Sequence, residues 1–183
     1  INRIINFNPI NVYKYQQAFI HKSVLRFLNK DSQINSSFER YEFLGDAVLN
    51  LIVANYLFKN FSDKEEGFLT KIRTRLVNGK TLSFLANKLE LNKFLIISQN
   101  VETINGRQNE RILEDVFESL LCSIYLDLGY KFAEKFYINL IEKYINFKEI
   151  EEDNNFKDIL LRHCQATTQT TPSYKLVSTV GKT

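Results

Sequence analysis

The stretch Phe38-Glu39-Arg40-Tyr41-Glu42-Phe43-Leu44-Gly45-Asp46-Ala47-Val48-Leu49 constrains this chain more than any other. Its apolar run continues through Leu51, Ile52, Val53, Ala54 and Leu57, with no proline and a single glycine. That pattern predicts a helix ending near Phe58, buried on most sides, with Ser36 or Ser37 as its N-cap. Glu39, Glu42 and Asp46 then recur at three- and four-residue spacing along one face. Carboxylates in so apolar a helix are costly unless something positive compensates them. Arginine, backbone donors or a metal ion could do so.

A second run, Arg111 to Leu126, has the same character, with Asp115 and Glu118 one turn apart. Two apolar helices packed with their acids opposed would gather four carboxylates. Hard oxygen donors suit Mg²⁺ or Mn²⁺, and without a cation the like charges repel or take up protons. Zinc is a poor fit, because two Cys and two His show no tight ligand spacing.

These residues resemble the ribonuclease III family, whose signature reads Asn-Glu-Arg-Leu-Glu-Phe-Leu-Gly-Asp-Ala. Asp115-Val116-Phe117-Glu118-Ser119 resembles its second acidic motif, and Leu126-Asp127-Leu128-Gly129-Tyr130 follows it. Upstream, Ala18-Phe19-Ile20-His21-Lys22-Ser23 is similar to its Ala-Leu-Thr-His-Arg-Ser segment. Glu66 to Arg73 and Leu76-Val77-Asn78 complete an ordered set over roughly residues 12–145.

The resemblance implies metal-dependent cleavage of double-stranded RNA to 5′-phosphate and 3′-hydroxyl ends, by a two-fold homodimer. It implies that Glu42, Asp46, Asp115 and Glu118 are catalytic and hold Mg²⁺, with Mn²⁺ as substitute. Asp46 and Glu118 would lie nearest the hydrolytic ion. Two such ions about 4 Å apart can activate water and stabilise both oxygens of the displacement. Glu39 and Glu66 are similar to a second acidic set tied to RNA contact or subunit packing. Lys71, Arg73, Arg75 and Asn78 are expected on the RNA side, and Phe43 resembles an aromatic that plugs into the partner subunit. The alternative is a catalytically silent scaffold of the same fold that binds RNA, against which the intact acidic quartet argues.

Composition sets outer bounds. The 183 residues are 44% hydrophobic, with 15 Phe and 9 Tyr, so a core is expected. The net charge of +3 neither demands nor excludes nucleic acid. Two cysteines make no disulfide framework, and Cys122 reads as a small buried hydrophobe. With no signal peptide and no membrane-length apolar run, an intracellular, by default cytoplasmic, protein without a membrane partner is expected. An initial Ile and a final Gly-Lys-Thr suggest a piece of a longer polypeptide.

The remaining elements follow from breaks in the pattern. Residues 1–11 are expected to be irregular and 99–109 a polar loop, with helices near 12–20, 67–76, 81–89 and 131–145. The domain plan is an all-α ribonuclease III endonuclease domain over 1–148 and a linker over 149–155. Residues 156–183 then resemble the start of an α/β double-stranded RNA-binding domain, with a helix from Phe156 and a strand across Pro172–Val180. Leu161-Arg162 stand there where that family carries Gln-Glu, a departure that puts its usual minor-groove contacts in question, and the competing reading is a C-terminal tail packed on the helical domain.

Overall fold

A computed structural model describes residues 2–27, 36–147 and 156–175. The chain divides into two compact units, Ile1–Asn146 and Phe147–Thr183. In the first, α1 (Asn2–Ile5) and α2 (Val12–Gln17) precede α3 (Glu39–Asn60), α4 (Glu66–Leu76) and α5 (Gly79–Lys88). Then come α6 (Gln99–Thr103), α7 (Glu110–Leu128) and α8 (Tyr130–Tyr144). Short 3₁₀ turns occupy Lys22–Phe27, Leu91–Phe94 and Gly106–Gln108.

The helix at the centre is α7, not α3. Every residue from Val116 to Ile124 is buried, and α2, α3, α5 and α8 all pack on it. Small residues make this possible. Ser119, Cys122 and Ser123 let neighbours approach, and the Ser123 hydroxyl donates to Lys14 O at 2.9 Å. Cys122 is buried as expected. Gly129, at φ 90°, separates α7 from α8 by one residue, a conformation that a side chain would disfavour. By contrast, α3 buries one face only, with Val48, Leu49, Ile52, Val53 and Leu57 inward. Phe43, Leu51 and Phe58 stand 57–80% exposed on the other, against the expectation of a helix covered on most sides.

Several boundaries differ for local reasons. Phe38, not Ser36 or Ser37, is the residue before α3, and it makes no side-chain cap. Its own ring is buried instead, and the Ser37 hydroxyl turns to Glu39 Oε2 at 3.3 Å. Residues 2–5 form a helical turn rather than irregular chain. The polar stretch 99–109 is largely helical because Arg107 clamps it. That guanidinium donates to Glu102 Oε2 at 2.7 Å and to the carbonyls of Asn92 and Leu95, both at 2.8 Å.

The second unit corrects the expected fold class. Its helix α9 (Phe156–Thr168) runs three residues beyond Gln165, and the hydroxyls of Thr167 and Thr168 donate back to His163 O and Cys164 O. No β-strand is present among the described residues, so a partial α/β domain is not supported and the described fold is all-α. Pro172 contributes no backbone donor, and a strand needs a partner to close its ladder. Residues 176–183 and the expected linker at 149–155 lie outside the described residues.

Candidate active site

The site forms where α3 crosses α7. At Gly45 the two backbones meet: a Cβ built there would stand 2.6 Å from the carbonyl carbon of Glu118. Only glycine permits that approach, and it sets Glu42, about one turn before it, and Asp46, the next residue, on the helix that faces Asp115 and Glu118.

Their electrostatics show the convergence. Burial pushes the Asp115 carboxyl up to about 7, helped by the charges of Glu42 and Glu114 and opposed by Arg111 and Lys22. Glu118, only 7% exposed, is pushed up to about 8 by burial, then by Asp46, Glu114, Glu42 and Asp115. Glu42 is also raised, by burial first and then by Glu39. Asp46 is exposed, and its Oδ1 accepts from Asn50 Nδ2 at 2.8 Å. The donor set is hard, oxygen-based and partly desolvated, which fits Mg²⁺ or Mn²⁺ in chemistry. As the side chains lie, no group of three or more His, Cys, Asp or Glu among the described residues is arranged to hold a metal ion. The carboxylates raise one another's proton affinity without closing into a coordination shell.

Residues 14–145 match the family described as Ribonuclease-III-like. The chain belongs to that family. It is 38% identical over 170 residues to Ribonuclease 3 of Campylobacter fetus, covering 92% of this chain and 75% of that one. It is 35% identical over 181 residues to protein A464R of Paramecium bursaria Chlorella virus 1, covering 99% of this chain and 63% of that protein. The nuclease domain of Ribonuclease III from Campylobacter jejuni superposes with a TM-score of 0.71 at 35% identity, over 79% of this chain and 95% of that one. The chain thus spans between 63% and 75% of the length of these two full relatives.

The other expected residues of this ribonuclease-III-like chain divide by position. Glu39 is an ion-pair partner: Lys22 Nζ lies 2.8 Å from its Oε1 and holds its carboxyl below the usual range. Glu66 is exposed, accepts from the Thr70 hydroxyl at 2.7 Å and lies apart from the quartet on α4. Arg73, with Glu66 and Phe58, lines a groove of about 250 Å³ between α3 and α4. Lys71 and Arg75 are half-buried on α4. Asn78 caps α5, its Oδ1 accepting from Thr81 N at 2.9 Å and its Nδ2 donating to Arg75 O at 3.0 Å. Phe43 is 80% exposed.

Three residues escaped the sequence reading. Lys22 and Arg111 lower the proton affinity of Glu42 and Asp115, and Glu114 raises that of Glu42, Asp115 and Glu118. The Glu114 carboxylate lies over Gly79 at the start of α5, where the helix dipole favours a negative charge. Arg111 and Glu114 are four and one residues from Asp115, a local signal that was legible. Lys22 stands at the basic position of the Ala18–Ser23 segment, but it lies far off in sequence and no spacing ties it to the acids.

His21, by contrast, behaves as a packing residue. Its Nδ1 accepts from Ser23 N at 3.2 Å, its ring lies 5.7 Å from Phe38, and burial holds its protonation below the ordinary range.

Proposed function

We propose that this chain is an endoribonuclease that cleaves double-stranded RNA, leaving 5′-phosphate and 3′-hydroxyl ends. The carrying observation is the acid quartet held at the Gly45–Glu118 crossing of a ribonuclease-III-like chain. In this reading Glu42, Asp46, Asp115 and Glu118 hold Mg²⁺, or Mn²⁺ in its place. The bound cation supplies an activated water and neutralises charge on the phosphate. The protein residues orient it: Asn50 fixes the Asp46 carboxylate, and burial strips Glu118 of competing water. Lys71, Arg73 and Arg75 meet the phosphates on either side, and selectivity for RNA comes from duplex shape and 2′-hydroxyls.

The exposed face of α3 supports a homodimer. Phe43, Ala47, Leu51, Ala54 and Phe58 recur at four, four, three and four residues, one continuous apolar stripe. A two-fold axis near Leu51 would bring Phe43 of each protomer to the Phe58 end of its partner. There the groove lined by Ala54, Phe58 and Leu69 would receive it. The comparison structure from Campylobacter jejuni is described as having a flexible region involved in dimer formation.

The test is incubation of the purified protein with long duplex RNA in Mg²⁺, beside an identical DNA duplex and an EDTA control. Cleavage of RNA alone, dependent on metal, is expected. The second reading, a silent RNA-binding scaffold, is favoured by the open arrangement of the carboxylates. Binding without cleavage in every divalent cation would establish it.

A further inference from the structure

Lys22 opens the 3₁₀ turn Lys22–Phe27, and its ammonium meets the first residue of α3 from a backbone tied down on either side. Ile96 N donates to Phe19 O at 2.8 Å and His21 N to Ile96 O at 3.0 Å, while Phe38 N donates to Ile20 O at 2.9 Å. One residue beyond Lys22, the Ser23 hydroxyl accepts from Ser98 N at 2.9 Å. The ammonium reaches Glu39 at 2.8 Å, and the next acid on α3 is Glu42. Glu39 lies one helical turn before Glu42, so the pair sits at the end of α3 that carries the acid set, and the charges of Asp115 and Glu42 reach the ammonium.

Stability does not account for this pair. The side chains of Lys22 and Glu39 are 65% and 49% exposed, and an ion pair so open to water and salt adds little to stability. An ammonium carries three donors, and the one directed at Glu39 leaves capacity for another acceptor. A phosphodiester approaching four carboxylates meets repulsion, and a fixed cation at the rim offsets it locally. Lysine suits that task as a compact point charge with no demand for a planar partner.

We propose that Lys22 takes a non-bridging phosphate oxygen of the RNA strand entering the acid set, and that Glu39 is the positioning residue that holds its ammonium there. This rests on the reading that duplex RNA is the substrate. It gives Glu39 a role through Lys22 rather than a contact of its own with RNA.

The experiment measures duplex RNA binding in Ca²⁺ across a salt series, together with kcat and KM in Mg²⁺ and the melting temperature. Lys22→Ala is expected to weaken binding on the order of tenfold, the scale of one charge-assisted hydrogen bond. Its plot of log affinity against log salt should be shallower by about 0.9, the signature of one lost phosphate contact. Lys22→Arg should restore that slope, and Glu39→Gln should keep it while lowering kcat several-fold without raising KM. All three should melt with the wild type. An unchanged slope in Lys22→Ala overturns the phosphate contact, and a wild-type kcat in Glu39→Gln overturns the positioning role. A wild type that binds duplex RNA but never cleaves it would defeat the proposed function, while the slope still decides Lys22. A wild type that binds no duplex RNA would defeat both.

Discussion

Single atoms decide most at Gly45 and Glu118. Gly45→Ala places a methyl group against backbone, which no rotamer change can relieve, so α3 and α7 must part. A loss of about 1–3 kcal/mol is expected from urea unfolding, the usual cost of overpacking. Gly67→Ala is the control: nothing lies within 4 Å of its Cβ, and a gain of about 0.4–1 kcal/mol should follow from the stiffer unfolded chain. Equal stability of the two variants would mean that the helix crossing is not tight. Glu118→Gln should cut cleavage by about 10²–10³-fold or more. The amide keeps the size but not the charge that holds a hard cation. Gel shifts in Ca²⁺ should show RNA binding retained, and wild-type cleavage would remove Glu118 from the site.

Among the elements, the least expected anchor is Asp127 at the end of α7. Its side chain is 1% exposed, and its carboxylate accepts from Ile10 N at 2.8 Å, Asn11 N at 2.9 Å and Tyr15 OH at 3.1 Å. Lys14 Nζ adds a charge at 3.8 Å. One carboxylate thus fixes the start of α2 to a helix more than a hundred residues later in sequence. Asp127→Ala leaves two backbone donors unpaired and should cost about 1.5–3 kcal/mol, read from the urea midpoint. Hydrogen exchange should quicken at Ile10 and Asn11 first. Unchanged protection there would show that α2 is held by its apolar contacts alone.

For the molecule as a whole, charge and assembly can be tested together. Folded-state values of about 7 for Asp115 and about 8 for Glu118 lie above their ordinary 3.8 and 4.5. The folded state therefore holds protons that the unfolded chain releases. Stability from this source is complete below about pH 4 and is lost as pH rises through 7 to 8. His21, lowered from 6.5, acts in the opposite sense, but it is one group against three, since Glu42 is raised as well. In EDTA the melting temperature should fall between pH 5 and 9, and saturating Mg²⁺ should lift it most at the alkaline end. A flat profile would show that the acids do not crowd. The exposed stripe on α3 predicts a dimer by light scattering at micromolar concentration. Phe43→Glu should give a folded monomer, and an unaltered dimer would place the interface elsewhere.

The sequence by itself determined the helical class and the two acid-bearing helices, because apolar periodicity and carboxylate spacing are local properties. It also determined that Glu42 and Asp46 share a face, as do Asp115 and Glu118. Tertiary structure alone decided that α7 rather than α3 is enclosed. Both helices are similarly apolar, and only packing reveals which of them has neighbours all round. It decided, too, that Phe43, Leu51 and Phe58 lie in the open, since an apolar face looks the same in sequence whether its own core or a second molecule covers it. Lys22 paired with Glu39, and Asp127 beneath Ile10 and Asn11, were equally out of reach. The contacts that define them join segments far apart along the chain, and no spacing rule connects residues whose nearness depends on how helices cross.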